Sequence, residues 1–166
     1  GPLRALAGIW AEEIDALAPE QTNTVRFTDG TTAKCRIVCD LIHTEGAESL
    51  ASYASDFYEG MPAVTRNAYG SGITYYLATD MDETGIAKVL DRAMTDGNVT
   101  AVIAEPTPLE ITKRTTEAAT YYFVMNFRDE AAPLPASLGG KLDLLTGKQT
   151  EAGELMNKFD VKIIQE

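Results

Sequence analysis

The sequence predicts a β-rich chain of the α+β or α/β class, and three observations support this prediction. Short runs that alternate apolar and polar residues, separated by turn residues, fill positions 25–78, a pattern typical of strands. A single amphipathic helix follows. After the stiff connector 105–108, which holds Pro106 and Pro108, only strands are predicted. We therefore expect two domains, an incomplete α/β domain over residues 1–103 and a small antiparallel β domain over residues 104–166.

Composition excludes several classes of protein. The chain has 166 residues, with 14 Lys and Arg, 25 Asp and Glu, and a formal net charge of −11. Because 45% of the residues are apolar, a packed core is expected rather than disorder. An acidic chain without a basic run argues against nucleic acid and anionic membranes as partners. No apolar run is long enough to span a bilayer and no signal peptide is visible, so we expect a cytoplasmic protein.

The first elements are short and extended. Residues 10–17 mix acidic and apolar side chains and end at Pro19, which favours an irregular or extended segment. Residues 25–28 form a predicted strand that ends in the turn Asp29-Gly30. A long strand over residues 32–44 follows, and strands over 47–53, 62–68 and 73–78 then complete a predicted antiparallel meander.

The predicted helix begins after Asp82, which is a suitable N-cap residue. Its apolar positions recur at helical spacing and form one stripe, made of Ile86, Val89, Leu90, Ala93 and Met94. Gly97 follows as the expected C′ residue. We expect the stripe to pack against the meander.

The remaining residues predict only strands. Residues 109–114 and 120–127 alternate and face each other across a short turn, and residues 142–145 and 161–164 supply two further strands. A β unit of about sixty residues lies near the lower limit for independent stability.

Cys35, Cys39 and His43 recur at intervals of four, which on a helix would indicate a metal site. Their segment is predicted as a strand, where four residues span roughly 13 Å. That distance is too long for one metal ion or for a disulfide. We therefore predict two inert, partly buried thiols, a structural or surface histidine, and no metal or cofactor.

Six residues are candidates for a subunit interface. Trp10, Phe57, Tyr58 and Met61 belong to types that are enriched in interface cores, although packing within their own domain is an equal alternative. Arg66 and Asn67 are candidates for hydrogen bonds to another chain or domain, with local bonds beside the turn 69–72 as the alternative.

A family resemblance covers nearly the whole chain. The segments that carry it are Gly1-Pro2-Leu3-Arg4, Gly8-Ile9-Trp10-Ala11-Glu12-Glu13, Gly46-Ala47-Glu48-Ser49-Leu50-Ala51-Ser52-Tyr53, Asp56-Phe57-Tyr58-Glu59-Gly60-Met61-Pro62-Ala63-Val64-Thr65-Arg66-Asn67, Gly70-Ser71-Gly72-Ile73-Thr74-Tyr75-Tyr76, Tyr122-Phe123-Val124-Met125-Asn126-Phe127 and Asp143-Leu144-Leu145-Thr146-Gly147. In this order they resemble the later part of the bacterial β-galactosidases of glycoside hydrolase family 42.

The resemblance implies that the chemistry lies outside this chain. Members of that family carry an N-terminal (β/α)8 barrel, a trimer-forming middle domain of amidotransferase-like (flavodoxin-like) fold, and a small β domain. A barrel needs about 250 residues, and no position here matches the family's two catalytic carboxylates. The resemblance therefore implies no catalytic residue here. It implies self-association, within a parent homotrimer that hydrolyses terminal non-reducing β-D-galactosides with retention of configuration.

Two other functions remain open. A free-standing carbohydrate-binding module would use exposed aromatic residues for stacking. An amidotransferase-like enzyme would need a reactive cysteine, and His43 and Glu45 have the spacing of its His-x-Glu pair by chance. The first residues, Gly1-Pro2, are interpreted either as a protease scar or as the start of an excised piece of a longer protein.

Overall fold

The computed structural model describes all 166 residues and divides them into two compact units, Gly1–Val99 and Thr100–Glu166. Each unit has its own hydrophobic core. The longest helix has 14 residues, and none of the helices has both the length and the apolar character needed to cross a membrane.

The first unit consists of a sheet, one short helix and one long helix. Its elements in chain order are α1 (Arg4–Ala7), β1 (Ile9–Ala16), β2 (Asn23–Phe27), β3 (Thr32–Thr44), β4 (Glu48–Tyr53), β5 (Pro62–Tyr69), β6 (Gly72–Leu77), β7 (Thr79–Met81) and α2 (Glu83–Asp96). The strands form one seven-stranded sheet in the order β1-β3-β2-β4-β5-β6, with β7 paired to β3.

The sheet closes on itself at Ala78. β6 pairs with β5, whereas β7, which begins one residue after Ala78, pairs with β3. The Ala78 amide donates to the carbonyl of Ala63 on β5, and the Ala78 carbonyl accepts from the amide of Asp40 on β3. One nearly continuous segment, β6 and β7, thus joins β5 to β3, while β1 stays outside this closure as an edge strand.

The strand positions agree with the sequence prediction, but the predicted meander is wrong in one pairing. β4 does not follow β3 in the sheet, because β2 lies between them and pairs with both. Only β4, β5 and β6 form a meander. The short β7 was not predicted, since three residues carry no readable periodicity.

β1 is a strand, so the segment predicted as irregular or extended is extended. Its backbone pairs with β3 from Ile9 opposite Thr44 to Ala16 opposite Val38, with an irregularity between Ala11 and Glu13. Local sequence does not reveal this strand because its pairing with a distant strand, not its own alternation, holds it extended. β1 is also an edge strand, since it has no neighbour on its other side.

The predicted helix is confirmed, with a change at its C-terminal end. The Asp82 side chain accepts from the amide of Gly85 and also from the amide of Lys34 on β3, so the N-cap fixes the helix to the sheet. Gly97 has a right-handed φ of −82°. The following residue, Asn98, adopts the positive φ of 50° that ends a helix in this way.

Only part of the predicted stripe is covered. Val89 is buried and Ile86 packs against the core, while Leu90 and Met94 stay exposed. The helix therefore lies on the sheet by its first two turns, and Gly85 makes the closest approach.

The first unit is an antiparallel sheet with one long helix, and not a doubly wound sheet. Every strand pair in it is antiparallel, whereas a flavodoxin-like fold has a parallel sheet. The β-rich class is therefore correct, and the amidotransferase-like part of the prediction is not confirmed for these residues.

The second unit is built from short antiparallel strands around a small core. Its elements are β8 (Glu110–Thr115), β9 (Thr120–Met125), β10 (Ala132–Pro133), a 3-10 turn (Ala136–Leu138), β11 (Leu142–Asp143), β12 (Lys148–Gln149), β13 (Leu155–Met156) and β14 (Val161–Gln165). Five strands form a sheet in the order β12-β11-β14-β9-β8, and β10 pairs with β13. The core lies on one face of this sheet, where Val124 and Ile164 pack against Leu134, Leu138 and Met156.

Candidate functional site

The two cysteines are buried thiols, not a reactive or metal-binding pair. Cys35 and Cys39 are free and buried. Burial raises the pKa of Cys35 to about 11, which is the opposite of the lowered pKa that a nucleophilic cysteine needs. No group of three or more His, Cys, Asp and Glu side chains is arranged to hold a metal ion.

The spacing of these cysteines differs from the sequence expectation. Cys35 lies opposite Met81 and Cys39 opposite Thr79, so four steps along β3 match only two along β7. Ile37, with a positive φ of 68°, forms the bulge that takes up the additional residues. Both thiols therefore face the same core, and Cys39 contacts the Thr79 hydroxyl, with the sulfur and oxygen 3.7 Å apart.

His43 is part of a surface cluster with β1. Its ring stacks on Trp10 with centroids 4.6 Å apart, and its Nε2 lies 2.6 Å from a Glu12 carboxylate oxygen. The histidine thus bonds to a surface carboxylate and not to either thiol. This geometry gives no support to an amidotransferase-like enzyme.

Arg66, a candidate interface residue, forms a network within the first unit. Its Nε donates to Asp96 at 2.5 Å, which joins β5 to the last turn of α2, and the Tyr75 hydroxyl donates to the same carboxylate. Hydrogen bonds from Arg66, which has the larger effect, and from Tyr75 lower the pKa of Asp96 to about 2. Arg66 therefore holds the end of the long helix on the sheet.

Asn67 also bonds locally. Its side-chain amide donates to the carbonyls of Ala5 and Leu6 in α1, at 3.3 and 2.9 Å. Gly8 ends that helix with a φ of +64°, and a Cβ there would lie 2.6 Å from Asn67 Cγ. Arg66 and Asn67 thus form local bonds that fix the two helices, which is the alternative expected from the sequence, and their role at an interface stays a prediction.

The aromatic loop between β4 and β5 has one buried and one exposed ring. Tyr58 is buried against Tyr53, with ring centroids 4.9 Å apart, and Met61 packs on the same core. Phe57 packs its ring edge-on to Tyr58 but is 74% exposed. Asp56, which precedes the two rings, has a positive φ of 73°. Tyr58 and Met61 therefore pack within the unit, and Phe57 is the exposed aromatic residue of this loop.

Trp10 and Phe57 are the candidates that stay accessible. Trp10 is 37% exposed and lies on the edge strand β1, together with Ile14, which is also exposed. An unpaired strand edge with exposed apolar side chains is a ready surface for another chain. A groove of about 470 Å³ adjoins it, lined by Leu3, Ile9 and Trp10 among others.

A second groove, of about 390 Å³, lies between α2 and the turn after β2 and contains two acidic residues, Asp29 and Asp91. The Lys88 ammonium lowers the pKa of Asp29 to about 2 through a side-chain hydrogen bond. Asp29 is therefore an ion-paired carboxylate, whereas a glycosidase acid needs a raised pKa.

Comparison with known proteins matches both units in order. A family model described as the β-galactosidase trimerisation domain matches residues 1–100, and one described as the β-galactosidase C-terminal domain matches residues 109–166. β-Galactosidase LacA of Lactobacillus acidophilus is 38% identical over 99% of this chain. β-Galactosidase BgaA of Planococcus sp. is 36% identical over the same share.

Solved structures match equally well. The crystal structure of β-galactosidase from Bacillus circulans sp. alkalophilus aligns with a TM-score of 0.87 and 34% identity over the whole chain. That of β-galactosidase from Rahnella sp. R3 aligns with a TM-score of 0.79 and 31% identity. The chain spans about a quarter of the length of these relatives, 24% of LacA and 25% of each of the two solved chains.

Proposed function

The chain belongs to the β-galactosidases of glycoside hydrolase family 42, and we propose that it is the non-catalytic oligomerisation and accessory region of such an enzyme. The observation that carries the proposal is the order of the two matches, a trimerisation domain over residues 1–100 and a C-terminal domain over residues 109–166. The parent protein would hydrolyse terminal β-D-galactosides with retention, on a barrel carried by the remaining three quarters of its length. The parent's substrate, its homotrimeric state and its cytoplasmic location are parts of this proposal.

The geometry of the first unit supports a scaffolding role. Its carboxylates are engaged in ion pairs or scattered over the surface, and its thiols are buried. We infer that the domain boundary of the parent lies near residue 103 and that the amidotransferase-like, doubly wound part of the middle domain would be formed with residues outside this chain. Trp10 and Phe57 are the residues that we expect at the subunit interface.

Two measurements on the purified chain test the proposal. Incubation with an aryl β-galactoside should give no hydrolysis above the buffer rate, because no acid and nucleophile pair is present. Turnover that persists through repurification would contradict the assignment of catalysis to another part of the protein.

The second measurement is the mass in solution by analytical ultracentrifugation. We expect association towards three copies of the 18.0 kDa chain. The Phe57→Ser variant should weaken this association, whereas the matched control Tyr69→Ser, at an exposed aromatic residue on the β5–β6 hairpin, should not. A chain that stays monomeric at all concentrations would contradict self-association through the first unit.

A further inference from the structure

The five-stranded sheet of the second unit carries apolar side chains on the face opposite its core. Val124 and Ile164 point into the core, so the alternation of side chains along a strand places their neighbours on the opposite side. Those neighbours are Phe123 and Met125 on β9, Val161 and Ile163 on β14, and Leu142 and Leu144 in and beside β11. We call this side of the sheet the outer face.

The outer face is continuous; Phe123, Met125 and Ile163 are half-buried and the apolar residues around them are exposed. Phe123 lies opposite Ile163 and Met125 opposite Val161 in neighbouring strands, so their side chains form adjoining pairs. Leu142, Leu144 and Val161 are 41%, 44% and 46% exposed. An antiparallel sheet with its core on one side usually has a polar second face. A contiguous apolar second face therefore marks an interaction surface.

Two opposite charges frame the outer face along the edge strand β8. Glu110 lies opposite Met125 and Arg114 opposite Tyr121, while Thr112 lies midway, opposite Phe123. The two charged residues are four positions apart on the same side of the strand, a distance of roughly 13 Å. Both are exposed, and neither forms an ion pair within the chain.

We propose that the outer face binds the outer face of a second copy of this chain, about a twofold axis that crosses the strands along Thr112, Phe123 and Ile163. Rotation about this axis stacks β8 of one copy on β8 of the other in the opposite direction. Glu110 of each copy then faces Arg114 of the other, and the apolar rows of β9 and β14 lie against each other. The surface is self-complementary in both charge and hydrophobicity, as a twofold interface requires.

The size of the face sets the strength of the contact. The sheet has three strands of five or six residues and two strands of two residues. With neighbouring strands about 4.8 Å apart, it covers roughly 300 Å² per copy. A standard stable interface covers about 800 Å² per partner. The dimer therefore forms at high protein concentration and dissociates on dilution. The contact involves the second unit alone, so it does not depend on trimerisation through the first.

Sedimentation equilibrium of the full 166-residue chain over a concentration series tests the proposal. Val161→Lys places a charge in the apolar row of β14 and should raise the dissociation constant of the twofold association at least about tenfold. Leu155→Lys is the matched control, since Leu155 is exposed on β13, outside the outer face, and it should leave that constant unchanged. Circular dichroism spectra check that both variants are folded.

A charge exchange tests the twofold geometry itself. Glu110→Arg alone and Arg114→Glu alone each bring like charges together and should weaken the association, more strongly at low salt. Both substitutions in one chain restore opposite charges across the axis and should restore the association. Failure of the double variant to recover would overturn the proposed axis.

The experiment also separates other occupants of the face. If the outer-face variants and the wild-type chain have the same mass at every concentration, a second copy does not bind there. The face would then be left for another part of the longer polypeptide. Trimerisation through the first unit is judged separately, because Phe57→Ser changes that association and leaves the outer face intact.

Discussion

The two units cover their sheets in different ways. In the first unit, the segment around Ala78 joins β3 to β5, and the long helix adds Val89 and Ile86 to the core of the sheet. In the second unit, the sheet stays open, with a core on one side and exposed apolar side chains on the other. Similar antiparallel strands thus give a closed scaffold in one case and a one-sided layer in the other.

This difference changes which residues carry stability. The closed sheet has a large core that includes buried aromatic residues such as Tyr53. The open sheet has a small core, and buried polar side chains bind its long loops to it. Asn126, Asp143 and Thr150 are all buried there and form hydrogen bonds to backbone groups. We therefore expect that substitutions which create cavities lower the free energy of unfolding most in the first unit. In the second unit, we expect the largest losses from substitutions that remove buried hydrogen bonds.

The largest predicted effect is on the closed sheet. Tyr53 is buried, and its hydroxyl donates to the Ala78 carbonyl at 2.9 Å. Tyr53→Ala removes a large aromatic side chain from the core and should lower the free energy of unfolding by about 3–5 kcal/mol. Urea unfolding followed by fluorescence measures this, because the single tryptophan, Trp10, lies in the first unit.

A matched substitution in the second unit gives the control. Ile164→Ala should destabilise the second unit and leave the Trp10 transition in place, since the two cores are separate. Hydrogen exchange detected by mass spectrometry would locate each effect. A common shift of both units by either substitution would contradict the comparison.

The second prediction concerns the open sheet. Asn126 is fully buried, and its side-chain amide donates to the carbonyls of Glu130 and Met156 at 2.9 and 2.8 Å. Asn126→Ala leaves both carbonyls without this donor and should cost about 1–3 kcal/mol, measured as the loss of exchange protection in the second unit. Asn157→Ala, at an exposed position, is the control and should have a much smaller effect. Equal effects of the two substitutions would contradict the role given to buried hydrogen bonds.

Sequence patterns predict where the strands lie better than they predict how the strands pair. The bounds predicted for β3 agree with the structure, and the Asp82 N-cap is confirmed, because alternation and capping are local properties. The position of β2 between β3 and β4 depends on long-range pairing, as does the bulge at Ile37 that brings the two cysteines to one face. Local sequence patterns do not predict such long-range contacts.

The same reasoning applies to the candidate interface. Residue type identified Trp10, Phe57, Tyr58 and Met61 as a group, but type alone does not give exposure. Phe57 is exposed and Tyr58 is buried, although the two residues are adjacent and their rings are in contact. The sequence does not predict the outer face for a similar reason. The apolar residues of β9 are predicted as core, and only the strand pairing shows which side packs against the core.

The third prediction tests how closely the long helix approaches the closed sheet. A Cβ at Gly85 would lie 2.9 Å from the Cβ atoms of Ala33 and Met81. Gly85→Ala should improve helix propensity by up to about 1 kcal/mol, but overpacking costs about 1–3 kcal/mol. We expect a net loss of about 1–2 kcal/mol, measured by the Trp10 transition. Thr84→Ala, at an exposed position on the same turn, is the control and should not destabilise the first unit. If Gly85→Ala stabilised the unit instead, the helix would be free to move away from the sheet.

The smallest predicted effect is the pH dependence of the bond between the helix end and the sheet. The pKa of Asp96 is lowered to about 2 by Arg66 and Tyr75, below its unfolded value of about 3.9. A lowered carboxyl pKa stabilises the fold above the unfolded value, and this contribution disappears as the pH falls through the folded value. Asp96→Asn should therefore lower the midpoint of thermal unfolding at neutral pH and converge with the wild type between about pH 5 and about pH 2. Asp91→Asn is the control, because Asp91 forms no ion pair on the same helix. A difference between Asp96→Asn and wild type that stayed constant down to pH 2 would mean that packing around Asp96, and not its charge, holds the helix end in place.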